Sequence, residues 1–280
     1  MVTSASERLT RRFVTAIGVI LALFWSLAPI YWIVVTSLKR SREIYSVPPT
    51  IVPARPTLQN FETALFNSNF PQFVWNSAVV AVAVTLVSAV IGALAAYPVA
   101  RMQFRGRSVA ARTIVMAYLL PPSLLFIPLF LVLQSMGLIN TKTGLVIAYL
   151  TFTVPFCTWM LIGYFRTIPA ELDEAALVDG ASRFQTLRRV ILPIAKPGLA
   201  VVALFAFTHA WNEFLYALVF VHSNETKTFT AGLTGLIMGD TFIWGQLMAS
   251  SVIAIVPILV IYIVAQKYIV EGLAAGSVKG

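Results

Sequence analysis

The chain has 280 residues, of which 59% are hydrophobic and only 11% are charged. Soluble globular proteins are typically about 45–50% apolar and about 25% charged, so this composition excludes an ordinary soluble domain. The single cysteine, Cys157, excludes an internal disulfide and a metal cluster held by several thiolates. The composition therefore indicates a membrane protein.

Six apolar stretches are long enough to cross a bilayer as helices, which takes about 20 residues each. They lie at about 13–38, 73–100, 113–136, 144–165, 198–221 and 243–266. We predict an all-α integral membrane fold in which residues 1–280 form a single transmembrane domain. The first stretch is too long for the apolar part of a signal peptide, so we interpret it as a retained span.

The net charge of +9 does not predict a nucleic-acid partner, because the basic residues lie at the predicted helix ends rather than on one polar domain. With a cytoplasmic N-terminus, fourteen of the twenty Lys and Arg residues, among them Lys279, lie on the inner side. The positive-inside tendency then predicts that both termini are cytoplasmic. The cluster of Lys39, Arg40 and Arg42 on the outer side runs against this tendency.

Prolines interrupt the third predicted span at Pro121, Pro122 and Pro128. Proline lacks a backbone N–H and must bend or break a helix, and carbonyls freed within a membrane need protein or water as partners. We therefore expect this span to face other helices.

The polar segment 166–197, between spans four and five, predicts two short helices on the cytoplasmic side. Acidic residues favour the positive N-terminal end of a first helix over about 170–179, and Gly180 suits the left-handed residue that follows a helix. Ser182 and Gln185 have the spacing of a capping box, which predicts the start of a second helix there.

The second helix has apolar residues at helical spacing, Phe184, Leu187 and Ile191, and we expect Pro193 to end it. The result is an amphipathic helix pair at the membrane surface. Such a pair has two interpretations at this point, which are an interfacial helix resting on lipid and a docking element for another protein.

The pattern Glu174-Ala175-Ala176, Gly180, Val190 and Leu192-Pro193 closely resembles the EAA loop of permease subunits in binding-protein-dependent ABC importers. Val190 departs from that pattern, because isoleucine is usual there. Further motifs resemble the carbohydrate branch of the family, the shorter six-span permease of maltose-type importers. These motifs are Ser37-Leu38-Lys39, Glu43-Ile44, Pro48-Pro49, Pro56-Thr57-Leu58, Pro121-Pro122 with Pro128, and Trp211-Asn212-Glu213-Phe214.

The resemblance implies that the segment forms coupling helices seated in a groove of a cytoplasmic ATPase. The implied docking residues are Glu174, Ala175, Ala176, Asp179, Gly180, Arg183, Phe184 and Pro193. Small residues allow the close approach of another protein, and the segment's carboxylates, Asp173 included, offer ion pairs that position a partner.

The implied partners are a sister permease, two ATPase subunits or a pair of copies, an extracytoplasmic solute-binding protein, the lipid bilayer and a sugar. The resemblance also implies a bacterial cytoplasmic membrane location and a non-catalytic chain that has no cofactor of its own. In the arrangement that the resemblance implies, ATP and Mg²⁺ are bound by the partner subunits.

A polar stripe lies in span five at Thr208, His209, Asn212, Glu213 and Tyr216, whose spacing predicts one shared helix face. An ionised side chain at bilayer depth costs a few kcal/mol, so Glu213 is expected to face protein or water. One interpretation is that the stripe lines a translocation cavity and binds sugar hydroxyls. The other is an internal hydrogen-bond network that only satisfies Glu213.

Two rival functions stay open from the sequence. In the first, a permease of the same architecture imports a glycerophosphodiester or a polyamine. In the second, the chain is an ion-coupled transporter and Glu213 is its proton site. Other motifs predict little. His209 and His222 do not predict a metal site, and the segment 137–143 lacks the glycine that precedes lysine in a phosphate-binding loop.

Overall fold

The computed structural model of the protein describes residues 5–238 and 241–277, and the side chains of residues 12–237 and 242–266. Lys279, predicted to be cytoplasmic, lies outside the described residues. The helices are α1 (Ala5–Ser37), α2 (Ser41–Ile44), α3 (Gln59–Phe66), α4 (Phe70–Arg101), α5 (Arg107–Leu119), α6 (Pro122–Ser135), α7 (Lys142–Phe165), α8 (Glu171–Val178), α9 (Arg183–Thr186), α10 (Leu192–Ile194), α11 (Lys196–Asn212), α12 (Leu215–Phe220), α13 (Phe229–Leu233) and α14 (Trp244–Ser277). A π turn, Leu187–Ile191, joins α9 to α10, a 3₁₀ turn spans Thr234–Leu236, and β1 (Ile237–Met238) pairs antiparallel with β2 (Thr241–Phe242).

The predicted helical membrane fold is confirmed in its class. Among the described residues, four helices are long and apolar enough to cross a membrane, and up to six spans result if each of two bent helix pairs counts as one. In the first pair, α5 and α6 are bent by 94° at Pro121, as the prolines predicted. Pro128 lies inside α6 and does not end it.

The second bent pair differs from the predicted fifth span. It joins Arg183–Ile194 to α11 with a bend of 82°, and α11 ends at Asn212, well short of residue 221. The chain resumes as the separate short helix α12. The predicted continuous helix over 198–221 is therefore wrong.

The chain divides into two compact units, one formed by 1–69 with 235–255 and the other by 70–234 with 256–280. In the second unit, α4 packs most extensively on α7 and then on α11. Small residues allow this close approach, since a Cβ on Gly92 of α4 would lie 3.2 Å from the Cβ of Cys157 on α7. The hydroxyls of Ser88 and Thr153 hydrogen-bond across the same helix pair at 2.7 Å.

In the first unit, polar contacts order the proline-rich segment that follows α1. Lys39, though cationic, is buried, and it donates to the carbonyl of Thr50 and lies 4.8 Å from the centre of the Trp32 ring. The Asn60 amide donates to the carbonyls of Ser37 and Lys39 at 2.8 and 2.9 Å. Lys39 thus has an internal structural role, which explains how a basic residue can occur on the predicted outer side.

Candidate coupling segment and polar site

The turn between α8 and α9 has the local structure that the sequence predicted. Gly180 has a φ of +80°, its N–H donates to the carbonyl of Leu177, and the next N–H, of Ala181, donates to the carbonyl of Ala176. These two bonds form a Schellman motif, which satisfies the last carbonyls of a helix. The left-handed residue therefore sets the direction in which the chain leaves α8.

The predicted capping box is also confirmed. The Ser182 hydroxyl accepts from the Gln185 N–H at 3.3 Å, and the Gln185 side-chain oxygen accepts from the Ser182 N–H at 2.7 Å. Because the two motifs follow each other directly, local interactions alone define the angle between the helices.

Pro193 was expected to end the second helix, but the helix does not end there. It widens into the π turn over Leu187–Ile191 and continues to Ile194. Pro193 directly follows the π turn as the second residue of α10, and the chain accommodates it there without leaving the helix. The chain bends only at Ala195, before α11 begins.

The apolar face of this second helix packs against protein. Leu187 and Ile191 are buried in one cluster with Ile168 and with residues of α4, α7 and α11. This burial argues against an interfacial helix whose apolar side rests on lipid.

The predicted docking residues lie mostly on the opposite, open side of the segment. Ala176 is buried, whereas the other seven are exposed: Glu174, Ala175, Asp179, Gly180, Arg183, Phe184 and Pro193. Val178, which the sequence reasoning did not single out, is 87% exposed beside them. The exposed apolar side chains of Val178 and Phe184, together with exposed charged groups of the same segment, have the character of a protein-docking patch.

Asp173 departs from the predicted outward ion pairs. It is buried, and its carboxylate accepts from the Arg101 Nε at 2.8 Å and from the Tyr97 hydroxyl at 2.8 Å, both on α4. The predicted position of this carboxylate on an exposed surface is therefore wrong, because α4 ends directly beside the start of α8 and supplies a buried cation there.

The predicted polar stripe does not share one helix face. Backbone angles at Glu213, with φ −66° and ψ 129°, are extended, and the helix is interrupted between Asn212 and Leu215. The Glu213 carboxylate accepts from the N–H groups of Tyr216 and Ala217 at 3.0 and 3.1 Å. It thus satisfies two of the first N–H groups of α12, which have no partner within that helix.

Two further bonds stabilise this break. The Thr230 hydroxyl donates to the Glu213 carbonyl at 2.7 Å, which satisfies an acceptor freed by the interruption. The Tyr216 hydroxyl donates to the carbonyl of Pro122 at 2.8 Å. Tyr216 thereby joins α12 to the first residue of α6, at the other break in the membrane region.

The remaining stripe residues lie on α11. His209 and Asn212 are exposed, and the Asn212 amide donates to the carbonyl of Thr208 at 2.9 Å. The ring of Phe152 lies 5.3 Å from that of His209 and 5.8 Å from that of Tyr216. His209 of α11 and Tyr216 of α12 therefore both contact the same aromatic side chain of α7.

Sequence reasoning missed the aromatic residues that surround the stripe. Phe156 stacks on Phe205 with ring centres 3.6 Å apart, and Phe205 also contacts His209 at 5.2 Å. The residues 149, 152, 156 and 159 of α7 are all aromatic at helical spacing, which is the signal that predicts a shared aromatic face.

Comparisons with known proteins agree with this architecture. The chain is 36% identical over 278 residues to the trehalose/maltose transport system permease protein MalG of Thermococcus litoralis, covering 98% of this chain and 99% of the relative. It is 35% identical over 265 residues to the inner membrane ABC transporter permease protein YcjP of Escherichia coli K12, covering 94% and 95%.

A solved structure shows the same fold at lower identity. A chain of a bacterial ABC transporter involved in the import of the acidic polysaccharide alginate superposes with a TM-score of 0.82 at 24% identity, over 96% of this chain and 99% of that one. Residues 88–274 match the family described as binding-protein-dependent transport system inner membrane component. The chain belongs to this family of ABC transporter permeases, which confirms the resemblance seen in residues 174–193.

Proposed function

We propose that this chain is one of two membrane permease subunits of an ATP-driven sugar importer. The two most informative neighbours are a trehalose/maltose permease and an alginate importer, and both handle carbohydrate. The observation that carries the proposal is the segment over residues 171–194, whose buried side belongs to the core of the spans and whose open side presents the docking patch.

In this proposal the chain crosses a bacterial cytoplasmic membrane six times, and each bent helix pair forms part of one crossing. Both termini are cytoplasmic, and a sister permease completes the pathway. The exposed apolar side chains of α1 suit contact with lipid or with that sister subunit. A solute-binding protein docks on the outer loops 39–72 and 222–242.

The mechanism is alternating access. ATP and Mg²⁺ bind to two ATPase subunits or a pair of copies, and closure of these subunits moves the coupling segment and reorients the spans. This chain makes and breaks no bonds of the sugar and holds no cofactor of its own. The chain transmits movement from the ATPase subunits and forms part of the wall of the pathway.

The test is uptake by proteoliposomes that contain the purified complex with its binding protein. A panel of labelled disaccharides, a glycerophosphodiester and a polyamine is offered with and without internal ATP, and with and without an uncoupler. Sugar uptake that needs ATP and ignores the uncoupler supports the proposal. Uptake that ignores ATP and is abolished by the uncoupler would establish the ion-coupled alternative, and uptake of only another solute would correct the substrate.

The polar stripe divides into two roles in this proposal. His209 and Asn212, which are exposed, line the pathway and offer hydrogen bonds to sugar hydroxyls, while the surrounding rings suit stacking on a pyranose face. Glu213 and Tyr216 instead maintain the helix break, because the Glu213 carboxylate bonds to N–H groups of the helix beyond the break and the Tyr216 hydroxyl bonds to the carbonyl of Pro122.

Two substitutions separate these roles. For Asn212→Ala we expect normal complex yield and an uptake KM raised roughly threefold to tenfold, the value of one net hydrogen bond. For Glu213→Gln we expect lower complex yield and a lower Tm, because one charge-assisted acceptor is lost. Normal yield with altered KM for Glu213→Gln would instead assign that carboxylate to the pathway.

A further inference from the structure

A buried ion pair connects the coupling segment to the inner end of α4. Arg101, the last residue of α4, donates from Nε to Asp173 Oδ2 at 2.8 Å, and a terminal guanidinium nitrogen approaches the same oxygen at 2.5 Å. Tyr97, one turn earlier on α4, donates from its hydroxyl to Asp173 Oδ1 at 2.8 Å. Two residues on one face of α4 therefore hold both oxygens of a single carboxylate on α8.

The guanidinium also holds the chain that leads into α8. Its two terminal nitrogens donate to the carbonyls of Ile168 and Pro169, each at 2.7 Å. The Arg101 and Asp173 side chains are only 7% and 8% exposed. All three guanidinium nitrogens are thus used to fasten the start of the coupling segment.

The two sides of α8 differ in their exposure. Asp173 and Ala176, three residues apart, lie on the buried side, while Glu174, Ala175 and Val178 lie on the exposed side. When a partner moves the exposed side of α8, the contacts on the buried side of α8 pass that movement to the spans. Apolar packing is non-directional, whereas a planar guanidinium bound through several fixed nitrogens specifies both position and orientation.

We propose that Arg101 and Asp173 form a positioning clasp that transmits movement of the coupling segment to α4, and so ties ATP hydrolysis to transport. This inference rests on the proposed function. Neither residue touches ATP or sugar in this role. Tyr97 is the third member, because it holds the second carboxylate oxygen and limits rotation of the carboxylate about its own axis.

The experiment measures the ATP hydrolysed per sugar transported in proteoliposomes that hold the complete complex. Asp173→Asn keeps the shape of the side chain and removes its charge, and Arg101→Lys keeps the charge and removes the planar fork. We expect each to raise the ratio of ATP to sugar at least fivefold, with complex yield within twofold of the original. Tyr97→Phe, which removes a single bond, is expected to raise the ratio about twofold.

Arg105→Lys is the matched control, because Arg105 is exposed four residues beyond Arg101 and forms no part of the clasp. It is expected to leave the ratio unchanged. If Arg101 and Asp173 had a purely structural role, the variants would lose assembled complex, and ATP hydrolysis and sugar transport would fall together. The ratio of ATP hydrolysed to sugar transported would then stay unchanged.

The outcomes distinguish the two levels of inference. If ATP does not drive uptake in the unmodified complex, the proposed function fails before the clasp is tested. If the unmodified complex couples normally and Arg101→Lys and Tyr97→Phe retain its ratio, the clasp is wrong and the proposed function stands. If the Asp173→Asn complex does not assemble, the ratios measured for Arg101→Lys and Tyr97→Phe decide whether the clasp exists.

Discussion

At the scale of single residues, Gly180 has a left-handed backbone conformation at the turn between α8 and α9. Its φ is +80°, and a Cβ built there would meet no atom within 4 Å. Other residues pay roughly 1–2 kcal/mol for this left-handed conformation, and a β-branched side chain is the least suited to it. A substitution therefore acts through the turn and not through a clash within this chain.

We expect Gly180→Val to raise the ATP hydrolysed per sugar transported while the spans remain folded, as judged by yield and Tm. Gly180→Asn is the matched control, since asparagine tolerates the left-handed region, and it is expected to keep most of the coupling. Normal transport by Gly180→Val at normal expression would contradict the assignment of this turn to ATPase docking.

Glu43 is a second residue whose role is set by its immediate contacts. Its Oε1 atom accepts from the Ala54 N–H at 2.8 Å and from the Thr50 hydroxyl at 2.9 Å. The backbone bond from Ala54 lowers the pKa of this carboxyl below its usual value, because the bond favours the charged form. The carboxylate thereby links α2 to the chain that precedes α3.

A lowered folded-state pKa predicts how this loop responds to pH. Its contribution to stability is present above the unfolded-state pKa of about 4.3 and is lost as pH falls through the folded-state value. We expect amide hydrogen exchange over residues 43–54, corrected for the intrinsic pH dependence, to accelerate in that acidic window. Glu43→Ala should show the faster exchange already at neutral pH, with Glu62→Ala on α3 as control. Equal exchange in Glu43→Ala and the unmodified chain would contradict the prediction.

At the scale of elements, the contact between α4 and α7 depends on a glycine. A Cβ at Gly92 would lie 3.2 Å from the Cβ of Cys157 and 3.3 Å from the backbone N of Thr158. Backbone cannot move aside as a flexible side chain can, so the helices would have to separate. At Gly163, elsewhere on α7, an added Cβ meets nothing within 4 Å.

We expect Gly92→Ala to destabilise the purified chain by about 1–3 kcal/mol, as over-packing does, and Gly163→Ala to leave its stability unchanged or slightly raised. The measurement is Tm in detergent for both variants under identical conditions. A Tm for Gly92→Ala equal to that of Gly163→Ala would show that α4 and α7 are less closely packed than the structure has them.

At the scale of the whole molecule, the charge distribution predicts which loops lie on each side of the membrane. The single cysteine, Cys157, is buried, so a Cys157→Ala background permits the introduction of one reporter cysteine at a time. Asn67 and Glu225 are exposed in the predicted outer loops, and Gln103 is exposed in a predicted cytoplasmic loop.

We expect a membrane-impermeant maleimide added to intact spheroplasts to label Asn67→Cys and Glu225→Cys but not Gln103→Cys. All three are expected to react after the membrane is permeabilised, which is the control for exposure. Labelling of Gln103→Cys alone in intact spheroplasts would invert the proposed topology.

The local features of the fold were accessible from residue order. The apolar stretches, the break at Pro121, the left-handed Gly180 and the capping box at Ser182 each depend on interactions within a few residues, which a chain carries wherever it folds. The EAA pattern belongs with them, because its spacing arises from two short helices and one turn. The residues of this pattern are therefore sufficient to indicate the family from the sequence alone.

Contacts between distant parts of the chain decided the rest. Asp173 has the character of a surface carboxylate in sequence, and only the end of α4, some seventy residues earlier, gives it a buried partner. The stripe at 208–216 has helical spacing, yet the hydroxyl of Thr230, which follows in a separate helix, bonds to the Glu213 carbonyl and favours a break there. Periodicity states which residues share a face if a helix continues. Whether it continues depends on the free energy of hydrogen bonds to groups that only the folded chain brings within reach.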